Sequence, residues 1–221
     1  MTFDGVGGWS YWWLAGVVNL LAISWACCRA PWLSMIANGQ RQRAFGVAIV
    51  GLAIFWQLEV EVEGLLTLHP LMMMSVVMVF GFELAVIVGV AAVVLAAAIQ
   101  NAITPGLVMP MCFNVVVPAA AATLVLKVIA ALPTRNLFVY MLGGGFFGAM
   151  ITVQSMAVTQ WLYIAVFGPP PLLVIASDYH YLSLLMMFPE GFINGALMTV
   201  LTVLSPELVK TYDDHRYLDD Q

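Results

Sequence analysis

Apolar segments long enough to cross a membrane follow one another along almost the whole chain. Of the 221 residues, 63% are hydrophobic and 9% are charged, whereas about a quarter of the residues in a soluble domain are charged. A helix needs about 20 apolar residues to cross a bilayer. The sequence therefore predicts an all-α, polytopic integral membrane protein with about seven spans. It forms one membrane domain over residues 1–221, with a tail at 205–221, and the spans are expected at 8–26, 44–62, 66–80, 84–102, 108–132, 137–167 and 182–204.

The basic residues favour one orientation of these spans. Seven spans with the N-terminus outside place every Lys and Arg on the cytoplasmic side, as the positive-inside rule requires. The C-terminus is then cytoplasmic, and the expected location is the inner, cytoplasmic membrane, with lipid around most of the surface. So few basic residues also argue against a nucleic-acid partner. The basic residues are Arg29, Arg41, Arg43, Lys127, Arg135, Lys210 and Arg216.

In this orientation the outer side carries acids and histidines. Asp4, Glu59, Glu63 and His69 supply carboxylate and imidazole groups, which are ligands for divalent metals. If the second span continues as a helix through EVEVEG, Glu59 and Glu63 share one face. They are then either a solvated helix end or, because Glu59 lies about 16 residues into the span, a partly buried functional pair.

Three further polar positions have two interpretations each. His69 precedes Pro70 at the start of the third segment, as a hydrogen-bonded structural residue or as a metal ligand. Glu190 follows Pro189 in the last span, and Asn194 lies on the same helix face at i+4. This pair serves either a structural hydrogen bond or a substrate pathway. The glycine run at 143–145 indicates close helix packing, or a bend beside a cavity.

Two stretches resemble a known transporter family. HPLMMMSVVMVFGFELAVIVGVAAVVLAAAIQ, followed by FNVVVPA, and the C-terminal FPEGFINGALMTVLTVLSPELV are similar to the CbiM-type membrane substrate-capture subunit of cobalt and nickel energy-coupling-factor transporters. The chain looks like a divergent branch of predicted permeases, with the resemblance over roughly residues 60–220. It implies capture of a metal ion from outside, with a separate coupling protein and two ATPases. His69 matches a family histidine ligand, and Asn114 lies in the matching Asn-containing segment.

The chain departs from that family at its start. The capture subunits open with Met-His, which supplies most of a square-planar nickel or cobalt site, whereas this chain opens with Met1 and Thr2. One imidazole cannot hold Ni(II) in a square plane. Three alternatives stay open: a site rebuilt from Glu59, Glu63 or Asp4, a different substrate, or loss of metal binding.

The sequence therefore predicts a substrate-binding subunit of an uptake system, with a divalent transition metal as the expected bound ion. The alternative is a non-transporting structural or accessory subunit of a larger membrane complex. The sequence contains no GxxxxGK[ST] phosphate loop, so ATP-driven transport requires other chains. Neither HExxH nor GxSxG occurs, and we do not expect an enzyme.

Overall fold

The computed structural model describes residues 12–62, 66–133, 136–168 and 170–213. This part of the chain is helical apart from one small hairpin and its connections. Five of the helices, α1 and α4 to α7, are long and apolar enough to cross a membrane, which supports the predicted class of helical membrane protein. The helices are α1 (Trp12–Arg29), α2 (Trp32–Ile36), α3 (Gly39–Phe55), α4 (Met73–Ile99), α5 (Pro105–Ala131), α6 (Leu137–Phe167) and α7 (Pro170–Leu204).

The hairpin joins α3 to α4. Strand β1 (Val60–Val62) pairs antiparallel with β2 (Leu66–Leu68), and Val60 faces Leu68 in the register. The predicted helix through residue 62 is therefore wrong, because α3 ends at Phe55. Apolar and charged residues alternate in the Val60–Val62 strand, and this two-residue period suits a strand rather than a helix. Glu59 consequently lies beyond the helix end, and Glu63 is outside the described residues, so the predicted pair on one helix face is not formed at Glu59.

Helix α4 occupies the centre of the fold and packs against α1, α3, α5, α6 and α7. It is interrupted at Gly81, whose backbone angles of φ 77° and ψ 172° are not helical. Only glycine adopts such angles at low cost. The predicted segments 66–80 and 84–102 thus meet at this break. Residues 73–80 form a short, buried helix that we call the half-helix, and the chain at residues 69–72 before it is irregular rather than helical.

The C-terminal tail covers the end of the half-helix. In the half-helix, the Met78 and Val79 carbonyl groups accept hydrogen bonds from backbone N–H groups of the tail. The Thr211 N–H donates to Met78 at 3.2 Å, and the Lys210 N–H donates to Val79 at 3.1 Å. The Lys210 ammonium group lies 3.7 Å from the Glu83 carboxylate. A Cβ atom at Gly81 would lie 2.7 Å from that ammonium nitrogen. The tail therefore supplies donors for carbonyls that the Gly81 break leaves without helical partners.

Small residues bring α6 and α7 together. A Cβ atom at Gly145 would lie 3.1 Å from the Cα of Gly195, so the two backbones are nearly in contact. The helices run antiparallel, since Gln154 bonds to Ser183 while the later Trp161 bonds to the earlier Ser177. These contacts favour the packing interpretation of the glycine run at 143–145. Helix α7 begins at Pro170, earlier than the predicted start at residue 182.

Candidate functional site

The candidate site surrounds the point where an irregular stretch of chain enters the half-helix. Residues 69–72 are neither helix nor strand, and Met72 adopts the left-handed conformation, with φ 58° and ψ 5°. The backbone N–H groups just before a helix have no partner within it. Leu71 is fully buried and Met72 nearly so, at 0% and 8% exposure. Their N–H groups therefore need acceptors from another element.

Glu190 on α7 provides these acceptors. One carboxylate oxygen accepts the Leu71 N–H at 2.9 Å, and the other accepts the Met72 N–H at 2.5 Å. The Glu190 side chain is almost fully buried, at 2% exposure. A carboxylate at this position also faces the positive end of the half-helix dipole, which stabilises a negative charge. Helix α7 is thereby fixed to the start of the half-helix.

Asn194 extends the same connection by one turn. Its amide nitrogen donates to the Glu190 carboxylate at 2.9 Å and to the Glu190 carbonyl at 2.8 Å. Its amide oxygen accepts the Ser75 N–H at 3.1 Å and the Ser75 hydroxyl at 2.6 Å. We call Glu190 and Asn194 the α7 clamp. Its contacts join two elements of the fold, as the structural interpretation of this pair expects.

His69 lies immediately before the residues that the clamp binds. Its Nδ1 is 3.2 Å from the Pro70 carbonyl oxygen, and its Nε2 is 3.0 Å from the Asn114 amide nitrogen. A carbonyl oxygen only accepts, so Nδ1 carries the ring proton and Nε2 accepts from Asn114. The Trp56 ring lies alongside, with a centroid distance of 5.5 Å. A ring with one donor nitrogen and one acceptor nitrogen is the neutral form of imidazole.

Asn114 reaches His69 from an irregular part of α5. Residues Met111–Val116 form a π-helical segment. Pro118, one turn later, has no N–H to donate to the Asn114 carbonyl, and such a loss disturbs regular α-helical bonding. Single-turn π segments of this kind occur often at functional sites. The contact between Asn114 and His69 joins positions 45 apart in the sequence, and the residues around neither position predict it.

The pairing of the hairpin strands also places Glu59 near His69. The outermost hairpin pair is Val60 with Leu68, and Glu59 and His69 are the residues that follow it at the open end. The Glu59 carboxylate accepts a hydrogen bond from the Gln100 amide at 3.3 Å. Gln100 also donates to Gln57 at 3.1 Å. We call Trp56, Glu59, His69 and Asn114 the hairpin-base site.

The hairpin-base site offers few metal ligands. Within the described residues, no group of three or more His, Cys, Asp or Glu side chains could hold a metal ion. Asp4 and Glu63, predicted as ligands with His69 and Glu59, lie outside those residues. Sequence reasoning overlooked Trp56, at the C-terminal end of α3, and Ser75, which bonds to the clamp.

Comparison with known proteins provides no relative. No model of a protein family, no curated protein and no solved structure matches this chain. The interpretation of the site therefore depends on its own geometry.

The α7 clamp is expected to be essential for stability. Glu190→Gln keeps the shape but replaces one acceptor oxygen with an amide nitrogen, which leaves a buried N–H of Leu71 or Met72 without a partner. The loss should be about 1–3 kcal/mol, seen as a lower unfolding temperature in detergent. The control is Glu207→Gln, because Glu207 is exposed and accepts one hydrogen bond from Gln40. Equal unfolding temperatures for the two variants would contradict this role.

Proposed function

We propose that this protein is the substrate-binding membrane subunit of an uptake system, with a divalent transition-metal cation as its substrate. The arrangement of His69 is the observation that most supports the proposal. Its Nδ1 bonds to the Pro70 carbonyl, and its Nε2 is turned towards Asn114. Histidines that bind metals usually donate their other ring N–H to a carbonyl or carboxylate in this way. A neutral imidazole is also the form that binds a metal.

Two neighbouring side chains would help His69 to bind a cation. Rotation of the Asn114 side-chain amide would present its oxygen to the ion in place of the nitrogen that now bonds to Nε2. The Glu59 carboxylate beside the hairpin supplies negative charge, which raises the local concentration of cations. Water would complete the coordination. Imidazole and oxygen ligands together suit first-row divalent metals.

The energy for uptake would come from other chains. The resemblance to cobalt and nickel energy-coupling-factor transporters implies a membrane coupling protein and ATPases as partners. The break at Gly81 and the irregular chain at residues 69–72 are also consistent with a transport role. Irregular backbone inside a membrane is tolerated where it is enclosed by protein or lines a cavity, and substrate sites often form at such breaks.

We also infer seven crossings of the cytoplasmic membrane, with the N-terminus outside. Strand β2, the irregular chain at 69–72 and the half-helix together would form the third crossing, and residues 82–99 the fourth. Two contacts support the placement of the basic residues on one side of the membrane. Gln40, next to Arg41 and Arg43, bonds to Glu207 in the tail, and Lys210 lies over Gly81. Lys127 lines a cavity beside Gly81. The positive-inside rule makes that side cytoplasmic.

The orientation predicts which cysteines are accessible from outside. Cys27 and Cys28 are exposed at the end of α1, beside Arg29, whereas Cys112 is buried. In spheroplasts, a membrane-impermeant maleimide should label Cys27 and Cys28 only after permeabilisation. With both replaced by serine, Glu59→Cys should be labelled without permeabilisation. The reverse pattern would invert the orientation, and labelling of both sites from outside would contradict the number of crossings.

Metal binding is expected to depend on His69. The gently purified protein should contain nickel or cobalt by elemental analysis, and His69→Ala should weaken the affinity by at least about tenfold. Asn114→Ala should weaken it less, because water can replace the amide oxygen. His180→Ala is the control, since His180 lies elsewhere, in α7. Equal affinity of His69→Ala and wild type would overturn the proposed substrate, and a co-purifying enzyme in place of ATPases would favour an accessory subunit.

A further inference from the structure

A long apolar groove lies between α3, the half-helix and α7. Its volume is about 530 Å³, within the usual range for ligand pockets. Its walls are almost entirely hydrocarbon. They include Val47, Gly51 and Phe55 from α3, Val76 from the half-helix and Leu201 from α7. Val47 is 70% exposed, so the groove opens sideways, on the face that lipid would cover.

The shape of the groove matches an extended chain. The α3 residues that line it run from Gln40 to Phe55, which corresponds to about 22 Å at 1.5 Å per residue. This is roughly three quarters of the hydrocarbon thickness of a bilayer. An extended acyl chain can lie along a groove of this length and apolar lining. The charges at one end of the groove then distinguish a lipid from a partner helix.

Opposite charges lie at one end of this groove. Arg43 lines the groove there, and its side chain is exposed. Gln40, one turn earlier on α3, donates to the Glu207 carboxylate at 3.0 Å. A cation in the groove wall and an anion bonded to Gln40 are thus both available at this end. Arginine binds phosphate groups well, and a carboxylate binds a primary ammonium group.

We propose that the groove binds one phospholipid with an ethanolamine headgroup. One acyl chain lies along α3, the phosphate contacts Arg43 and the ammonium group contacts Glu207. An anionic glycerol headgroup would satisfy Arg43 but would leave Glu207 facing uncompensated negative charge. The site is independent of the hairpin-base site and of the proposed transport function.

Two glycines on α3 provide matched variants for the test. A Cβ atom at Gly51 or at Gly46 would meet no atom within 4 Å, so either position accepts a larger side chain. Gly51 lines the groove, whereas Gly46 does not. Leucine is also a better helix former than glycine. Neither Gly51→Leu nor Gly46→Leu should lower the unfolding temperature, and the Gly51 variant alone fills the groove.

The experiment is native mass spectrometry of the full chain with ethanolamine and glycerol phospholipids of identical acyl chains. The wild type and Gly46→Leu should retain one ethanolamine lipid, and Gly51→Leu should bind it at least about tenfold more weakly. Arg43→Gln should lower the affinity by about tenfold, the effect of losing one charge-assisted hydrogen bond. Glu207→Gln should abolish the preference for ethanolamine over glycerol.

Three results would overturn the proposal. Equal binding by Gly51→Leu and Gly46→Leu would place the lipid elsewhere. A preference of the wild type for the glycerol lipid would contradict the pairing of Arg43 with Glu207. Specific crosslinking of a partner protein to a photoreactive residue at position 51, in native membranes, would show that protein occupies the groove.

Discussion

Leu71 and Met72 are buried ahead of the half-helix, and the Glu190 carboxylate accepts hydrogen bonds from the backbone N–H groups of both. An unsatisfied backbone group in such a place would cost several kcal/mol. The irregular chain ahead of the half-helix can therefore exist inside the protein only because α7 supplies a carboxylate there. Asn194 adds acceptors for Ser75 and holds the carboxylate in position. The position of His69, and of the site around it, therefore depends on the hydrogen bonds between Glu190 and the backbone of Leu71 and Met72.

The half-helix is stabilised at both ends by opposite charges from distant parts of the chain. Glu190 lies at its N-terminus, and Lys210 lies at its C-terminus, over Gly81. This matches the polarity of a helix dipole, which favours anions at the start and cations at the end. The tail also supplies N–H donors to the last carbonyls of the half-helix. A short helix of this kind, which is marginal alone, becomes a fixed part of the core.

Placement of the half-helix in turn arranges the surfaces on either side of it. Ahead of it, the irregular chain brings His69 against Asn114 and Trp56. Beside it, the gap towards α3 forms the apolar groove. The polar site and the apolar groove thus arise from one feature, a break in an otherwise helical membrane segment.

The sequence predicted the helical membrane class, since apolar residues recur over lengths that only a membrane-crossing helix requires. It also placed Glu190 and Asn194 on one helix face, because that follows from a spacing of four residues. The alternation in EVEVEG was a local signal for the hairpin that was interpreted as a helix end instead. Hydropathy alone could not detect the difference, because a short strand and a helix end can be equally apolar.

Which groups meet across the fold was decided only by the tertiary structure. Glu190 and Leu71 are 119 positions apart, and His69 and Asn114 are 45 apart. No local pattern encodes such pairs, because they depend on how helices pack. The contacts at the ends of the half-helix also depend on packing, since its unpaired N–H and C=O groups find partners only after α7 and the tail come together. The sequence determined which polar residues had to be satisfied inside an apolar protein, and packing determined what satisfies them.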